Sequence, residues 1–174
     1  MLPVRIRLLF ITFALGKSKQ RVKMRDEITI HTTAFRSLDP ATLYDMLQLR
    51  LEVFVVEQDC VYQDLDGIDK MAIHTWIAEE GKMVACARFF MKNQRRKTVQ
   101  IGRVVVAKDK RRKRYASFLM RSIIDNAKSM LGAKRLHLEA QVYAVPFYER
   151  LGFKVCSEEF LEDGIPHVKM EREA

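Results

Sequence analysis

At 174 residues with 48% hydrophobic side chains, the chain is long enough for one well-buried core and too short to hold two. Of its net charge of +9, Arg5, Arg7, Lys17, Lys19, Arg21 and Lys23 supply +6 with no acid among them, which leaves +3 for everything after residue 23 and excludes a basic surface throughout. Three widely spaced cysteines, Cys60, Cys86 and Cys156, with no C-x-x-C pair, exclude a disulfide framework and a cysteine-based zinc site, and suit a reducing cytoplasm.

Residues 1–23 join two arginines to an apolar run at 8–15 that is too short to span a bilayer as a helix. The run has the charge and apolar order of a secretory signal, but no A-x-A cleavage site follows it. We read residues 1–23 as an N-terminal extension, a translated leader or disordered arm with Met24 as the natural start, and keep a signal or membrane-associating segment as the alternative. A single domain over residues 24–174 follows from that reading.

Residues 27–33 alternate through Ile28 and Ile30 as a first strand. Asp39 before Pro40 signals a helix start, because Asp caps free N–H groups and Pro is tolerated in the first turn. Leu43, Leu47, Leu51 and Phe54 are its expected buried stripe. Residues 56–70 show neither period and read as a loop with a short helix. Its polar residues Glu57, Gln58, Asp64, Asp66 and Asp69 are either solvated and capping or an acidic lip over an amine-binding cleft. Residues 72–79 and 82–91 flank Glu80 and Gly81, a two-residue hairpin signal. The second strand is apolar on both faces, with Val84, Cys86 and Phe90 on one and Met83, Ala85, Ala87, Phe89 and Met91 on the other, so it is expected to be central. Cys86 reads as a small core residue. Arg88 and Arg103 interrupt apolar faces, and a buried guanidinium needs partners; a structural ion pair with a carboxylate such as Glu139 is expected for both.

The stretch IGRVVVAKDKRRKRYASFLM, residues 101–120, changes character twice. It is a buried strand up to Val106, then a loop bearing Lys108, Lys110, Arg111, Arg112, Lys113 and Arg114 against Asp109 alone, and from Tyr115 an amphipathic helix with Ala116, Leu119, Ile123, Ala127 and Met130 or Leu131 on one side. The first turn of a helix presents unpaired N–H groups and about half a unit of positive charge, so a basic loop leading into one suits polyphosphate. Gly132 ends this helix. Leu136, Leu138 and Ala140 then alternate with Arg135, His137, Glu139 and Gln141, a strand with one core face and one polar face. His31, His74, His137 and His167 lack paired ligand spacing, so no metal is expected. Pro146 and Phe147 open a short helix ending at Gly152, and residues 153–160 and 165–171 read as a closing hairpin.

This order of elements resembles the GNAT N-acetyltransferases, whose central strand runs into R/Q-x-x-G-x-G/A and a helix. The corresponding residues are Arg111, Arg112, Lys113, Arg114, Tyr115 and Ala116, which fit at the first and last positions and depart at the fourth, where Arg114 replaces a glycine. A basic residue there is similar to the ElaA-like branch. LQLRLEVFVVEQDCVYQDLDGID at 47–69, IGRVVV at 101–106, PFYERLGF at 146–153 and EDGIPH at 162–167 extend that likeness from about residue 43 to the end. The resemblance implies an α+β fold with a mixed, mostly antiparallel sheet of six to seven strands flanked by about four helices. It also implies transfer of an acetyl group from acetyl-CoA to a primary amine without a covalent acyl-enzyme.

What the resemblance assigns can be stated residue by residue. Arg111, Arg112, Lys113, Arg114, Tyr115 and Ala116 would wrap the pyrophosphate of acetyl-CoA, while peptide groups around Val104, Val105 and Val106, with Gln141, would take the pantetheine arm as an added strand. Tyr148 would line the donor site and donate a proton to the departing thiolate, since a phenol of pKa about 10 can protonate a thiolate whose acid lies near 8.5. An alkylamine of pKa about 10 must lose a proton before attack, and Glu57 and His167 are the candidate bases, with Glu139 and Gln141 acting through water. A small-molecule or peptide amine is the expected acceptor, no nucleic acid or stable membrane association is expected, and a homodimer stays open. Two other readings are a catalytically inactive acetyl-CoA-binding module, which the Arg114 departure favours, and a nucleic-acid-binding domain using residues 108–114, which lacks interleaved aromatics for stacking.

Overall fold

The computed structural model of the protein describes residues 28–174, so the expectations for residues 1–23 and for a start at Met24 lie outside the described residues. Among these residues eight strands form one sheet: β1 (Ile28–Ala34), β2 (Ile73–Glu79), β3 (Lys82–Asn93), β4 (Thr98–Val106), β5 (Arg135–Gln141), β6 (Lys154–Val155), β7 (Phe160–Glu162) and β8 (Ile165–Glu173). Three α-helices accompany them among the described residues: α1 (Pro40–Leu51), α2 (Tyr115–Leu131) and α3 (Val145–Glu149). The spatial order is β1-β2-β3-β4-β5-β8-β6, with β7 pairing β8 off that path. Only β4 and β5 run parallel, so the sheet is the mixed, mostly antiparallel one expected. It has one strand more than expected because the segment after Phe153 pairs with β8 in two short pieces. Among the described residues there is one α-helix fewer than expected; residues 56–70 are mostly loop, with the short helix expected there present as a 3₁₀ turn at Ile68–Met71.

Local chemistry explains the element ends. The Asp39 carboxylate accepts from the Thr42 N–H at 2.9 Å and caps α1. Glu80 and Gly81 both take positive φ, 53° and 81°, the backbone of the tight hairpin turn their sequence signals. Gly132 takes φ 60°, which lets the Ala133 N–H reach the Ala127 carbonyl at 3.1 Å and close α2.

On one face of the sheet α2 buries Leu119, Met120, Ile123 and Ala127 against Ile77, Ala85, Phe89, Val99, Ile101, Leu136 and Leu138. Each such side chain contributes about 1.5–3 kcal/mol on full burial. A second cluster joins α1 to β3 and β4 through Met46, Leu49, Val53, Met83, Cys86 and Val105. The buried stripe of α1 is thus Met46, Leu49, Arg50 and Val53 in place of Leu43, Leu47, Leu51 and Phe54; Leu51 faces outward. Arg50 turns inward to meet two aspartates, and the helix widens into a π-helical turn over Glu52–Glu57, so its inward face is displaced. Strand β3 is central and apolar on both faces as expected, with one exchange. The pairing Ile77↔Ala85 is followed by Ala78↔Met83, so Val84 is an extra residue, and Met83 falls on the side of Cys86.

A second bulge positions the site. Cys86 pairs with Val105 and Arg88 with Gly102, so two residues of β4, Arg103 and Val104, oppose one of β3. Arg103 takes φ 54° there. Beside the bulge, β4 and β5 pair only from Thr98↔Arg135 to Gln100↔His137, and the rest of each strand is unpaired with the other.

Candidate active site

Where β4 and β5 part, a cleft of about 780 Å³ opens. Val104, Val105 and Val106 on β4, Gln141 on β5, Tyr148 on α3, Ala116 at the start of α2, and Arg111, Glu57 and His167 all line it. The structure therefore brings most of the sequence-selected residues to one place. Arg112, Lys113 and Arg114 are exposed on the adjoining loop, and Tyr115 is buried beneath it.

The edge of β4 turns away from β3 at Val106. Ala107 N–H bonds to Val84 on β3 at 2.9 Å, so at Val106, one residue earlier and opposite Ala85, alternation turns the peptide groups away from β3. The Val106 carbonyl instead accepts from Arg111 Nε at 3.3 Å.

The basic loop is tied down from inside. Glu79, at the end of β2, accepts from Lys110 Nζ through one oxygen and from the Tyr115 hydroxyl through the other. These contacts hold the carboxyl of Glu79 below its usual range, first through Lys110. Arg111 donates from Nη1 and Nη2 to the two oxygens of Glu57 at 2.6 and 2.9 Å. Helix α2 starts without a side-chain cap and without an acid in its first turn, so no carboxylate of that turn offsets the positive end of its dipole, which suits an anion. Arg114 takes φ 68° and ψ 8°, the left-handed conformation that the motif's glycine would supply without strain. The loop geometry is kept at a cost of roughly 1–2 kcal/mol. The Arg114 guanidinium lies 5.7 Å from the centre of the Phe118 ring, which returns part of that cost.

Tyr148 is buried edge-on between Phe147 and Phe153, with ring centres 5.0 and 6.0 Å away. Burial pushes its pKa up, so the phenol keeps its proton at neutral pH and is a weaker acid than a free tyrosine. His167 lies with Nδ1 2.8 Å from the Ile165 carbonyl. A carbonyl can only accept, so Nδ1 carries a proton, and Nε2 lies 3.8 Å from Glu162 Oε2. Glu57 has both oxygens on Arg111, which, first through its hydrogen bond, holds the Glu57 carboxyl below its usual range. Gln141 exchanges hydrogen bonds of 3.3 Å with Gln58. Lys92 and His137 both approach Gln100 Oε1, at 2.8 and 2.6 Å, and burial lowers the His137 pKa.

Asp64, Asp66 and Asp69 do not form an open acidic lip. Arg50 donates from Nε to Asp64 at 3.0 Å and from Nη1 to Asp69 at 2.7 Å; Arg88 pairs with Asp66 and Asp69; Arg103 pairs with Asp64 at 2.7 Å and Asp66 at 3.3 Å. Three arginines and three aspartates thus neutralise one another, with Asp66, Arg88 and Arg103 in the lining of the cleft. Arg88 and Arg103 make the ion pairs expected of them, but with these loop acids in place of Glu139, which is exposed on β5. The loop folds back across β3 and β4 and reaches both guanidinium groups first.

The family model described as an acetyltransferase (GNAT) domain matches residues 42–174. The chain belongs to the GNAT family. It is 45% identical over 141 residues to the UPF0039 protein C11D3.02c of Schizosaccharomyces pombe, covering 80% of this chain and 93% of that one. The crystal structure of Escherichia coli ElaA superposes with a TM-score of 0.79 at 35% identity, over 84% of this chain and 99% of that one. That of an acyl-CoA N-acyltransferase from Pseudomonas aeruginosa gives 0.79 at 34% identity, over the same shares. These likenesses put the protein in the ElaA-like branch of GNAT, and fold and family together support acyl-CoA-dependent acyltransferase activity.

Within this GNAT chain, Arg50 is the residue that sequence reasoning passed over. Its signal was present: Met46, Arg50 and Val53 share helical spacing, which puts a guanidinium on the buried stripe. The trio Lys92, Gln100 and His137 gave none, because it assembles from three strands. Among the described residues no cluster of His, Cys, Asp and Glu is arranged to hold a metal ion, and no helix is long and apolar enough to cross a membrane.

Proposed function

We propose that the protein transfers an acetyl group from acetyl-CoA directly to a primary amine, on a small molecule or a peptide, without a covalent acyl-enzyme. The observation that carries this reading is the unpaired edge of β4 beyond its bulge, running from beside Tyr148 to the loop Arg111–Ala116. An amide-rich arm can add to that edge as a strand, with its phosphates at the uncapped start of α2. The cleft volume falls within the range of about 300–1,000 Å³ typical of small-ligand sites. A similar structure bears the name acyl-CoA N-acyltransferase, which favours nitrogen as the acceptor atom.

The chain's own groups can balance the chemistry. His167 lines the cleft with Nδ1 on the Ile165 carbonyl, and in its neutral form Nε2 takes the proton from the incoming ammonium, either directly or through a water. The neutral nitrogen attacks the thioester carbonyl, the C–S bond breaks, and the electron pair leaves on sulfur. Tyr148 donates its proton there, and the second proton of the acylated nitrogen passes to the Tyr148 oxygen and restores the phenol. Glu57, bound on both oxygens, is the poorer base. The nucleic-acid reading is weakened because Lys110 and Arg111 are held by Glu79 and Glu57. The three free cysteines suit the reducing cytoplasm proposed for the protein.

The test mixes the protein with acetyl-CoA and a panel of primary amines, and follows free thiol and acceptor mass together. Thiol released in step with acetylated amine supports the reading. Acetylated protein accumulating without acceptor would overturn direct transfer, and CoA binding with no release for any amine would favour the inactive module.

A further inference from the structure

Arg111 occupies the path that the donor needs. Its guanidinium is used within the protein on all three nitrogens: Nη1 and Nη2 on Glu57 at 2.6 and 2.9 Å, and Nε on the Val106 carbonyl at 3.3 Å. Glu57 belongs to the π-helical turn after α1, Val106 to the free edge of β4, and all three residues line the cleft. The side chain therefore links the two elements and fills the strand-edge acceptor that an extended amide arm would use. Glu57 is an anion at neutral pH, because Arg111 and, more weakly, Lys108 favour its charged form. Leaving the pair intact beside a diphosphate would set two anions on one cation, and a phosphate offers the same two-pronged acceptor with more charge.

We infer that Arg111 is exchanged on donor binding: phosphate oxygens take its guanidinium from Glu57 and Val106, and Glu57 is the positioning residue that sets how tightly the donor is held. The inference rests on the acyl-CoA reading above. In the resting protein Glu57 holds the guanidinium at the cleft and closes the β4 edge. Once the donor arrives, the Val106 carbonyl is released to the arm, and Lys108 remains as the nearby cation for Glu57.

The consequence runs against the usual expectation for a carboxylate that orients an arginine. Glu57→Gln removes the competitor, so CoA should bind more tightly, by about two- to fivefold, the range that exposed ion pairs supply. A double-mutant cycle with Arg111→Gln isolates the cause. CoA itself, which binds without turnover, is titrated into the full-length wild type, E57Q, R111Q and the double variant, with thermal midpoints confirming that each is folded. The exchange requires E57Q to tighten CoA when Arg111 is present and to have no effect when it is absent. Equal tightening in both backgrounds would mean through-space repulsion and would overturn it, as would unchanged or weaker binding by E57Q alone. A wild type that takes up no CoA would instead refute the acyl-CoA reading beneath it.

Discussion

Arg50 and Asp69, nineteen positions apart, are joined by hydrogen bonds of 2.7 and 3.2 Å, and only 1% of the arginine is exposed. A guanidinium so deep keeps its charge because burial, which opposes it, is outweighed by the bonds and charges of Asp69 and Asp64. Replacing it takes one cation from two buried carboxylates and leaves Asp64 with Arg103 and Asp69 with Arg88. Arg50→Met should therefore cost about 3–5 kcal/mol, the usual result of removing one partner from a buried pair. Denaturant unfolding measures this directly; a variant as stable as the wild type would show that Arg88 and Arg103 alone satisfy the aspartates.

Acid should loosen the same cluster in a defined window. Hydrogen bonding from Arg88, opposed by partial burial, draws the Asp66 carboxyl down to about 2 from its ordinary 3.8. The folded value lies below the unfolded one, so the stabilisation is complete above pH about 3.8 and is lost as pH falls toward about 2. Thermal midpoints of the wild type should drop through that interval. Asp66→Asn should start lower at neutral pH and show a shallower drop; parallel curves would assign the acid sensitivity to other groups.

Arg114 tests whether the phosphate loop stores strain. Glycine at this position relieves a left-handed conformation worth about 1–2 kcal/mol but loses the contact with Phe118 and gains freedom in the unfolded chain. Arg114→Gly should thus match the wild type or exceed it by up to about 1 kcal/mol, whereas Arg114→Val, β-branched at positive φ, should fall below it by at least about 1 kcal/mol. Equal stability of the two variants would show that the loop relaxes to another conformation.

The contrast between Arg114 and Arg50 marks what the sequence could reveal. The capped start of α1, the Glu80–Gly81 turn and the apolar stripe of α2 are local patterns, and each was legible from spacing alone. Arg111, Ala116, Tyr148 and His167 could be selected because they stand in contiguous motifs. Partnerships across the chain were not legible. The acids of residues 56–70 read as solvated and capping or as a lip, and only the return of the loop over β3 and β4 shows them buried with Arg88 and Arg103. The extra residue at Val84 was invisible for a related reason: an alternating apolar run has no mark for where its partner slips by one.

Arg112 and Lys113 make no salt bridge with any described residue, unlike Lys110 and Arg111. They are free to meet a ligand's charge. Changing both to alanine should weaken acetyl-CoA at least tenfold, about 1.4 kcal/mol, and flatten its dependence on salt. Unchanged acetyl-CoA affinity, together with tight, salt-sensitive binding of duplex or single-stranded nucleic acid to the parent protein, would turn the loop toward the nucleic-acid reading.

Tyr148 is the residue through which the chemistry can be separated from packing. Its ring stacks edge-on with Phe147 and Phe153, so much of its contribution to the fold is aromatic contact that phenylalanine would keep. What phenylalanine lacks is the proton, and burial holds that proton on the phenol well beyond neutral pH. If it passes to sulfur as the C–S bond breaks, Tyr148→Phe should lower kcat by roughly 10²- to 10⁴-fold, while CoA affinity and thermal midpoint stay close to the wild type. Retention of most turnover would return Tyr148 to packing and leave water to protonate the thiolate. Should affinity and stability fall along with rate, the hydroxyl would be holding the cleft together instead, because a group needed only when the bond breaks has no reason to affect either.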